Sequence, residues 1–458
     1  MKISLISPQF PHKGGFPLAP PSLEYLGALT LRHRPDTEIT VLDANREEVS
    51  PNNIHADLAG ISIMTPTATW SYDFADKLRK RGITVVVGGI HASALPEEAL
   101  RHADAVVVGE AESVWGTVLA DAERKRLHGI YIGERLPLAG LPTPRRLLRQ
   151  RYPFRAVFTA RGCINKCSFC SVRRFFGDTV RFRPIDDVVH DVEDYAGRIY
   201  YNGDDNIWGS NIERSIDLFR TLAQGPKRWW FGQGDLATVQ RPRGAEMLKH
   251  AFDSGLRSVW AGYESDNEST LDSYRAASKQ GIDRFRALRI IADAGIEIVL
   301  FMILGGKTDS LADFEKTLAF SDKMGLTIHP VLLTPYPGTE TYWEYTDSLI
   351  RELPWGAYDG VHAVFKHPDP AMTVQVREEG LLKLNADLFT FPRVLRRIGS
   401  IDRKGFPVAH LVSFMKQIAM RRGFRKAYES YRTSRMTEQA ALSEKDHEEA
   451  TQGTRFLP

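Results

Sequence analysis

The chain is poor in cysteine: its 458 residues include only three, and all three fall between positions 163 and 170. An odd, clustered set in a chain of this size argues against a disulfide framework. It favours a metal site or a set of catalytic thiols instead. The cysteines are therefore the first candidate functional residues.

Long hydrophobic runs are also absent. The best run, residues 296–304, is short and carries Glu297, whereas a membrane-spanning helix needs ~20 apolar residues. Residues 1–8 lack the long apolar core and the small-residue cleavage site of a signal peptide, and they indicate a strand. We therefore predict a cytoplasmic protein without a membrane span.

The sequence has no large excess of charge of one sign. A formal net charge of +3 is small for 458 residues, so a nucleic-acid partner is not expected. Arginine and lysine are scattered through the region after residue 353, where solvated helix faces are the simplest explanation. A basic patch for an anionic substrate or a partner is the alternative for this region.

Strand-like and helical patterns alternate from the N-terminus. We predict strands at five short apolar runs: residues 2–7, 38–42, 58–63, 83–87 and 105–108. Helices are predicted between them, for example at residues 22–33 and 71–81. This order is typical of a Rossmann-like parallel sheet domain, which we place at residues 1–133. A Gly-x-Gly-x-x-Gly motif is missing after the first strand, so a nicotinamide dinucleotide is not expected.

A second series of strands and helices follows a linker, rich in proline, leucine and arginine, at residues 134–151. Six strands are predicted in this series: residues 156–159, 199–201, 229–231, 258–260, 298–303 and 328–333. Strands that alternate with helices predict a full or partial (β/α)6 barrel at residues 152–345, with its chemistry at the C-terminal strand ends. A helical C-terminal region, 346–435, and a disordered tail, 436–458, complete the predicted α/β organisation.

The cysteines form a Cys-x-x-x-Cys-x-x-Cys motif, in which Cys163, Cys167 and Cys170 follow the first predicted barrel strand. Three thiolates this close can hold a four-iron four-sulfur cluster and leave one iron open for another ligand. A structural zinc site needs a fourth ligand. The chain has no fourth cysteine, and the nearest histidine on the C-terminal side is His190. The motif therefore favours the cluster.

With an aromatic residue, Phe169, directly before the last cysteine, this segment resembles the radical S-adenosylmethionine (SAM) superfamily. The resemblance implies that SAM binds the open iron through its amino and carboxylate groups. It also implies that one electron, from an external reductant such as a flavodoxin or ferredoxin, cleaves SAM to a 5′-deoxyadenosyl radical. That radical abstracts hydrogen from an unactivated position of a substrate.

Further segments resemble the superfamily at the ends of the predicted barrel strands. They are Tyr-Asn-Gly-Asp-Asp-Asn at 201–206, Gly-Tyr-Glu-Ser at 262–265, and the glycine-containing segments at 302–306 and 334–339. The resemblance assigns contacts with SAM to eight residues: Phe169, Asp204, Asp205, Gln233, Glu264, Ser265, Ile303 and Tyr336. An Asx-rich turn is the alternative for the two aspartates. A buried glutamate at a strand end is costly without a partner, which favours a functional role for Glu264.

A Rossmann-like domain before such a barrel resembles the cobalamin-binding subclass of the superfamily. The segments that carry this resemblance are residues 20–28, 62–66, 87–92 and 108–112. The resemblance assigns contacts with cobalamin to seven residues: Ser62, Thr65, Pro66, Gly88, Gly89, His91 and Glu110. The loop at residues 8–15 lacks the Asp-x-His-x-x-Gly motif of many cobalamin proteins, so the lower axial ligand is left open.

The resemblance implies methyl transfer to an unactivated carbon of a small molecule, a lipid or another natural product. One SAM would methylate cobalamin, and a second would supply the radical. A cyclisation, rearrangement or oxidation enzyme of the same architecture is the nearest alternative, and a non-catalytic sensor is the second. Nucleic-acid modification that uses the basic C-terminal helices is the third. No residue identifies itself as a catalytic acid or base. Tryptophans near the barrel strand ends could line an apolar pocket, although core packing is their commoner use: Trp208, Trp229, Trp230 and Trp260.

Overall fold

The structure is a computed structural model, and it describes residues 1–11, 18–144, 152–195, 197–209, 211–276, 279–400, 417–418, 420–431 and 433. The predicted disordered tail lies outside these residues. So do residues 145–151 of the predicted linker and residues 12–15 of the loop at residues 8–15.

The N-terminal part of the chain forms a six-stranded parallel sheet in the order β2-β1-β3-β4-β5-β6. Its strands are β1 Lys2–Ser7, β2 Glu38–Asp43, β3 Leu58–Ser62, β4 Thr84–Gly88, β5 Ala105–Val108 and β6 Gly129–Ile132. Five helices connect them: α1 Pro21–His33, α2 Ala68–Lys80, α3 Ile90–Ala94, α4 Pro96–Leu100 and α5 Trp115–Glu123. The Rossmann-like prediction is confirmed, and β6 is a strand that it lacked.

Both faces of this sheet are covered, which explains its apolar strands. Along β4, Val85 and Val87 pack on the face that also holds Phe74 of α2, whereas Val86 packs on the opposite face with Trp115 of α5. Successive side chains of a strand point to opposite faces, so a strand buried on both sides must be apolar throughout. The same rule makes the strand signal strong in the sequence.

A second six-stranded parallel sheet has the order β14-β13-β12-β11-β10-β7. Its strands are β7 Ala156–Val157, β10 Ile199–Asn202, β11 Trp229–Gln233, β12 Leu256–Glu264, β13 Glu297–Leu304 and β14 Thr327–Leu332. Two further strands, β8 Ala160–Arg161 and β9 Arg181–Phe182, form a short antiparallel pair. Because β7 and β14 are the two end strands, the sheet is the predicted partial barrel.

Helices alternate with the strands of this barrel and continue beyond them. They are α6 Ser171–Phe176, α7 Ile185–Asp194, α8 Ile212–Gln224, α9 Gly244–Asp253, α10 Glu268–Ser273, α11 Arg284–Asp293, α12 Leu311–Met324, α13 Glu340–Tyr345, α14 Val374–Leu388 and α15 Phe391–Ser400. Residues 420–431 are also helical. Among the residues described, no helix is both long and apolar enough to cross a membrane.

The C-terminal region differs from the prediction at its start. Residues 346–373 form short 3-10 turns and loops, and the first long helix begins only at Val374. Three prolines and two glycines between 354 and 370 explain why a helix does not form earlier. Leu381 and Leu388 of α14 share one core with Ile328 of β14. This part of the chain therefore packs on the barrel.

Candidate active site

The cysteine loop is held at both ends by the β8–β9 pair. Gly162 begins the loop with φ +95°, and a Cβ there would lie 2.5 Å from the carbonyl oxygen of Thr179, so only glycine fits. Asp205 accepts a hydrogen bond from the Gly162 amide at 2.9 Å. The loop thus begins at a fixed position beside the end of β10.

The three thiols are half-buried on this loop. Burial raises the pKa of Cys163, and it raises the pKa of Cys167 to about 11 and that of Cys170 to about 12. The neighbouring thiols add to this effect at Cys167 and Cys170. Three sheltered, adjacent sulfur donors fit a four-iron cluster in which three irons each take one thiolate. No group of three or more His, Cys, Asp or Glu side chains converges on a single ion in the described part of the chain.

An apolar cluster lies against the second cysteine. Cys167 packs in it together with Phe169, Ile303 and Tyr336, three of the predicted SAM residues. The ring of Phe169 meets Tyr274 edge-on at 5.5 Å between centroids, and the Ser168 amide donates to the Tyr274 carbonyl at 2.9 Å. The structure thus brings these predicted residues to the same side of the cysteine loop.

The two aspartates after β10 have different surroundings. The carboxylate of Asp204 accepts hydrogen bonds from the amides of Thr159 and Ala160, at 2.7 and 3.0 Å, and from the Thr159 hydroxyl. Burial still raises the pKa of Asp204 to about 6, and it does the same for Asp205. Asp204 therefore holds the strand that leads into the cysteine loop. This differs from its predicted contact with SAM, because three donors already occupy the carboxylate.

Glu264 ends β12 in an unusual state. Its φ is +65°, a left-handed conformation that is costly for a residue with a side chain. It is only 8% exposed, and burial raises the pKa of its carboxyl. No described residue donates a hydrogen bond to that carboxylate, and a buried carboxylate without a partner is costly. Strain and an unmet acceptor together indicate a ligand site.

Two other predicted SAM residues lie at neighbouring strand ends. Ser265 follows Glu264 and accepts a hydrogen bond from the Asn267 amide at 3.1 Å, which shapes the turn after β12. Gln233 ends β11, is exposed, and donates from Nε2 to the Tyr201 hydroxyl at 3.2 Å. The strand ends that carry Gln233 and Glu264 are adjacent in the sheet.

A cavity of about 230 Å³ lies between the N-terminal sheet and helices α1 and α5. Four predicted cobalamin residues line it: Ser62, Gly88, Gly89 and Glu110. Most of its wall is apolar, with leucines of α1 and Trp115 of α5. At Gly89, φ is +97° and a Cβ would lie 2.7 Å from the Ile63 carbonyl oxygen, so the backbone approach there requires glycine. The shape and lining fit the buried tail of a large ligand.

The other three predicted cobalamin residues lie elsewhere. His91 is fully buried, with Nδ1 3.3 Å from the Thr65 hydroxyl and Nε2 3.4 Å from the Glu98 carboxylate. Its ring meets Trp355 at 5.0 Å, and the 3-10 turn with Thr65 and Pro66 packs on the turn with Trp355. These residues do not line the cavity, because they form the contact between the N-terminal domain and the C-terminal region.

The barrel contributes one side of the cavity. Phe158, Arg161, Phe175 and Phe176 line it, and the last two belong to α6, directly after the cysteine loop. Arg161 pairs with Glu110 at 2.6 Å and with a second glutamate, Glu112, at 2.7 Å. The cavity and the cysteine loop therefore share a wall.

Two protein families match this chain. The B12 binding domain family matches residues 13–119, and the radical SAM superfamily matches residues 157–321. The chain belongs to the radical SAM superfamily. Its N-terminal domain is a B12 binding domain, so the predicted subclass and the predicted set of cluster, SAM and cobalamin are confirmed, as is the prediction of an enzyme.

This radical SAM protein resembles two curated proteins of Chlorobaculum tepidum along most of its length. It is 29% identical to the bacteriochlorophyllide d C-8(2)-methyltransferase, over 86% of this chain and 91% of the relative. It is 26% identical to the C-12(1)-methyltransferase, over 79% and 81%. Its fold matches the radical S-adenosylmethionine methyltransferase TsrM of Kitasatospora setae with a TM-score of 0.67, at 15% identity, over 93% and 99% of the two chains.

Lys279 is a site residue of this radical SAM protein that the sequence analysis missed. It is buried, and its positive charge favours the ionised forms of Cys163, Cys167 and Glu264. No ion pair within 4 Å involves it among the described residues. Its only sequence signal is its position after β12, on the segment that follows the Gly-Tyr-Glu-Ser match. Sequence spacing alone does not show that the fold brings Lys279 close to the cysteines.

Proposed function

We propose that this radical SAM enzyme transfers a methyl group from SAM, by way of cobalamin, to an unactivated carbon of a small molecule. The observation that carries the proposal is the shared wall between the cavity of the B12 binding domain and the cysteine loop, formed by Arg161 and α6. The cobalamin site and the cluster site are therefore neighbours, and two neighbouring reactive groups can act on the same substrate. The methyltransferase names of the two curated relatives support the same reaction.

In this proposal the cluster is held by Cys163, Cys167 and Cys170. When bound, the cluster supplies one electron to SAM and the corrinoid carries a methyl group. Lys279 offsets the negative charge that three thiolates bring into a buried site, which lowers the cost of ionising them. An external reductant is needed because the chain has no cysteines beyond these three to hold a second cluster, and we expect a small electron-transfer protein in that role.

SAM is held at the ends of β11 and β12. Glu264 is the main proposed acceptor for SAM. A ligand hydroxyl or ammonium group would donate a hydrogen bond to its buried carboxylate, which accepts none from a described residue. Gln233 and Ser265 flank it as neutral hydrogen-bonding groups. Phe169, Ile303 and Tyr336 form the apolar side. Asp205 accepts a hydrogen bond from the Gly162 amide, which holds its carboxylate next to the first cysteine.

The corrinoid is held by the N-terminal cavity. Ser62 lies at the rim, where its hydroxyl is 3.4 Å from that of Ser22, and both hydroxyls can bond a polar ligand tail. Gly88 and Gly89 allow close approach of a large group at the end of β4. Glu110 sets the distance between this cavity and the cysteine loop through Arg161.

The test is anaerobic loading of the reconstituted protein with hydroxocobalamin, followed by SAM that carries an isotopic label in its methyl group. We expect one corrinoid for each chain, label in the corrinoid fraction, and 5′-deoxyadenosine once a reductant is added. Deoxyadenosine without label transfer would point to the alternative cyclisation, rearrangement or oxidation enzyme. Corrinoid binding without SAM cleavage would point to a sensor. A Cys163→Ala variant should keep corrinoid and lose cluster iron.

A further inference from the structure

Five adjacent strands of the barrel each place one aromatic ring on the same face of the sheet. We call the set the aromatic row: Tyr201 of β10, Phe231 of β11, Trp260 of β12, Phe301 of β13 and His329 of β14. Neighbouring ring centroids lie 5.4, 5.2, 6.1 and 5.6 Å apart in that order. The rings therefore form one continuous surface across the barrel.

The face of the sheet that carries the row is only partly covered, by Phe154 against Phe231 and by Phe389 against His329. The residues that directly precede its members point to the helices and are 3%, 1%, 0%, 0% and 0% exposed: Tyr200, Trp230, Val259, Leu300 and Ile328. Every member of the row itself remains partly exposed. A parallel sheet that was packed on both faces would bury both sets. The partial exposure of one set alone shows that the face with the row is the less covered face of the sheet.

The row leads directly to the proposed SAM site. The Tyr201 hydroxyl accepts a hydrogen bond from Gln233 at 3.2 Å, and Phe231 lies two residues before Gln233 on the same face of β11. Trp260 precedes Gly262 by two residues on β12, so both are on the same face. The Glu264 carboxylate folds over Gly262 on that face. A molecule that lies on the row thus has one edge beside Gln233 and Glu264.

We propose that the aromatic row is the substrate platform and that the substrate carries an extended planar conjugated ring system, larger than a single indole ring. The inference rests on the proposed function, which places the radical chemistry at the adjacent strand ends. Rings at spacings of 5 to 6 Å favour offset-stacked and edge-to-face contacts with a flat π-system, beyond the burial of apolar area. A saturated polycycle would be stabilised on the row only by the burial of its apolar surface. The row offers one neighbouring pair of polar groups, Tyr201 and Gln233, to orient such a ring.

The experiment uses metal-free protoporphyrin IX as the probe, so that binding does not depend on metal ligation by a histidine. Cluster-reconstituted, corrinoid-loaded protein is titrated and the fluorescence anisotropy of the porphyrin is followed. The variants Trp260→Leu and Phe231→Leu should each weaken porphyrin binding at least tenfold. Matched surface variants, Trp343→Leu and Phe391→Leu, remove exposed rings, 65% and 45% accessible, and should leave binding unchanged. Cholate, a saturated four-ring amphiphile, should bind weakly and without sensitivity to the row.

Equal porphyrin binding by wild type and both row variants would overturn the inference. So would cholate binding as tight as porphyrin binding, because the row would then be a general apolar surface. Cluster iron content and SAM cleavage are measured on the same variants, and a variant that has lost both has failed to fold. In that case the porphyrin affinity of the other row variant tests the inference. Label transfer to corrinoid in the same preparation separates the two proposals. Loss of porphyrin binding with persistent label transfer would overturn only the substrate inference. Porphyrin binding without label transfer would overturn only the methyl-transfer proposal.

Discussion

Glu110, in the loop after β5, and Arg161, two residues before the first cysteine, form an ion pair of 2.6 Å between the two halves of the molecule. The Glu110 side chain also pairs with Arg181 of β9, and it is only 4% exposed. One carboxylate thus fixes both strands that hold the cysteine loop. The same glutamate lines the cavity of the B12 binding domain, so the position of one site depends on the other.

Replacing this carboxylate should destabilise the protein and loosen the connection. A Glu110→Gln variant leaves two arginines in a poorly hydrated site with only Glu112 to compensate, and the loss of one partner from a buried pair costs about 3 kcal/mol. Urea unfolding followed by circular dichroism should show this as a lower midpoint. We also expect weaker corrinoid binding, because Glu110 forms part of the cavity wall.

The matched control is Glu123→Gln. Glu123 pairs with Arg34 at 2.9 Å, but both side chains are more than a third exposed, and such surface pairs contribute little to stability. It should therefore leave the unfolding midpoint and the corrinoid affinity near those of wild type. Similar losses in the two variants would show that the Glu110 network has no special role.

Glu264 should contribute to SAM binding at the expense of stability. A Glu264→Gln variant removes a buried carboxylate that accepts no hydrogen bond from a described residue, so the protein without ligands should unfold at a higher temperature. The same change removes a charged acceptor, and SAM binding should weaken about tenfold to a hundredfold, as loss of a charge-assisted hydrogen bond does. Calorimetric unfolding and equilibrium dialysis measure the two effects. A lower unfolding temperature with unchanged SAM affinity would assign Glu264 a structural role instead.

Gly262 tests the same site without touching its charge. A Cβ at this position would overlap the Glu264 carboxylate, which lies folded over the glycine. Gly262→Ala should therefore displace Glu264 and weaken SAM binding in the same direction as Glu264→Gln. Gly225→Ala is the control, because a Cβ there meets only the Leu222 carbonyl oxygen at 3.6 Å, an ordinary contact. Unchanged SAM affinity in Gly262→Ala would mean that the Glu264 carboxylate does not lie over Gly262 when SAM is bound.

The sequence was informative where chemistry or burial repeats locally. The apolar strands of both sheets were found because burial on two faces leaves an unbroken apolar run, and the cysteine loop was found because its ligands lie within one segment. Lys279 and the ion pairs of Arg161 were missed, since these side chains come together near the cysteines only through the packing of distant elements. Asp204 shows the opposite limit: its residue type fits a ligand, but its carboxylate accepts hydrogen bonds from Thr159 and Ala160.

Asp309 should make stability fall as pH rises. It accepts hydrogen bonds from the Gly306 amide and the Thr270 hydroxyl, at 3.0 and 3.1 Å, but burial outweighs them and raises its pKa to about 6, and the nearby Asp313 adds to the effect. The folded state therefore keeps a proton that the unfolded state has lost between about pH 4 and pH 6, and each step up in pH through that window favours unfolding.

An Asp309→Asn variant lacks this titration. Its unfolding free energy relative to wild type should therefore increase by roughly 2 kcal/mol from pH 4 to pH 7 and change little above that. Urea unfolding across this range measures the difference. Asp313→Asn gives the opposite sign, because Lys316 and the Ser310 amide hold the pKa of Asp313 below its usual value against the effect of burial. That variant should lose stability relative to wild type as pH rises from the acid side. A pH-independent difference for Asp309→Asn would mean that water reaches the carboxylate and that burial does not control its ionisation.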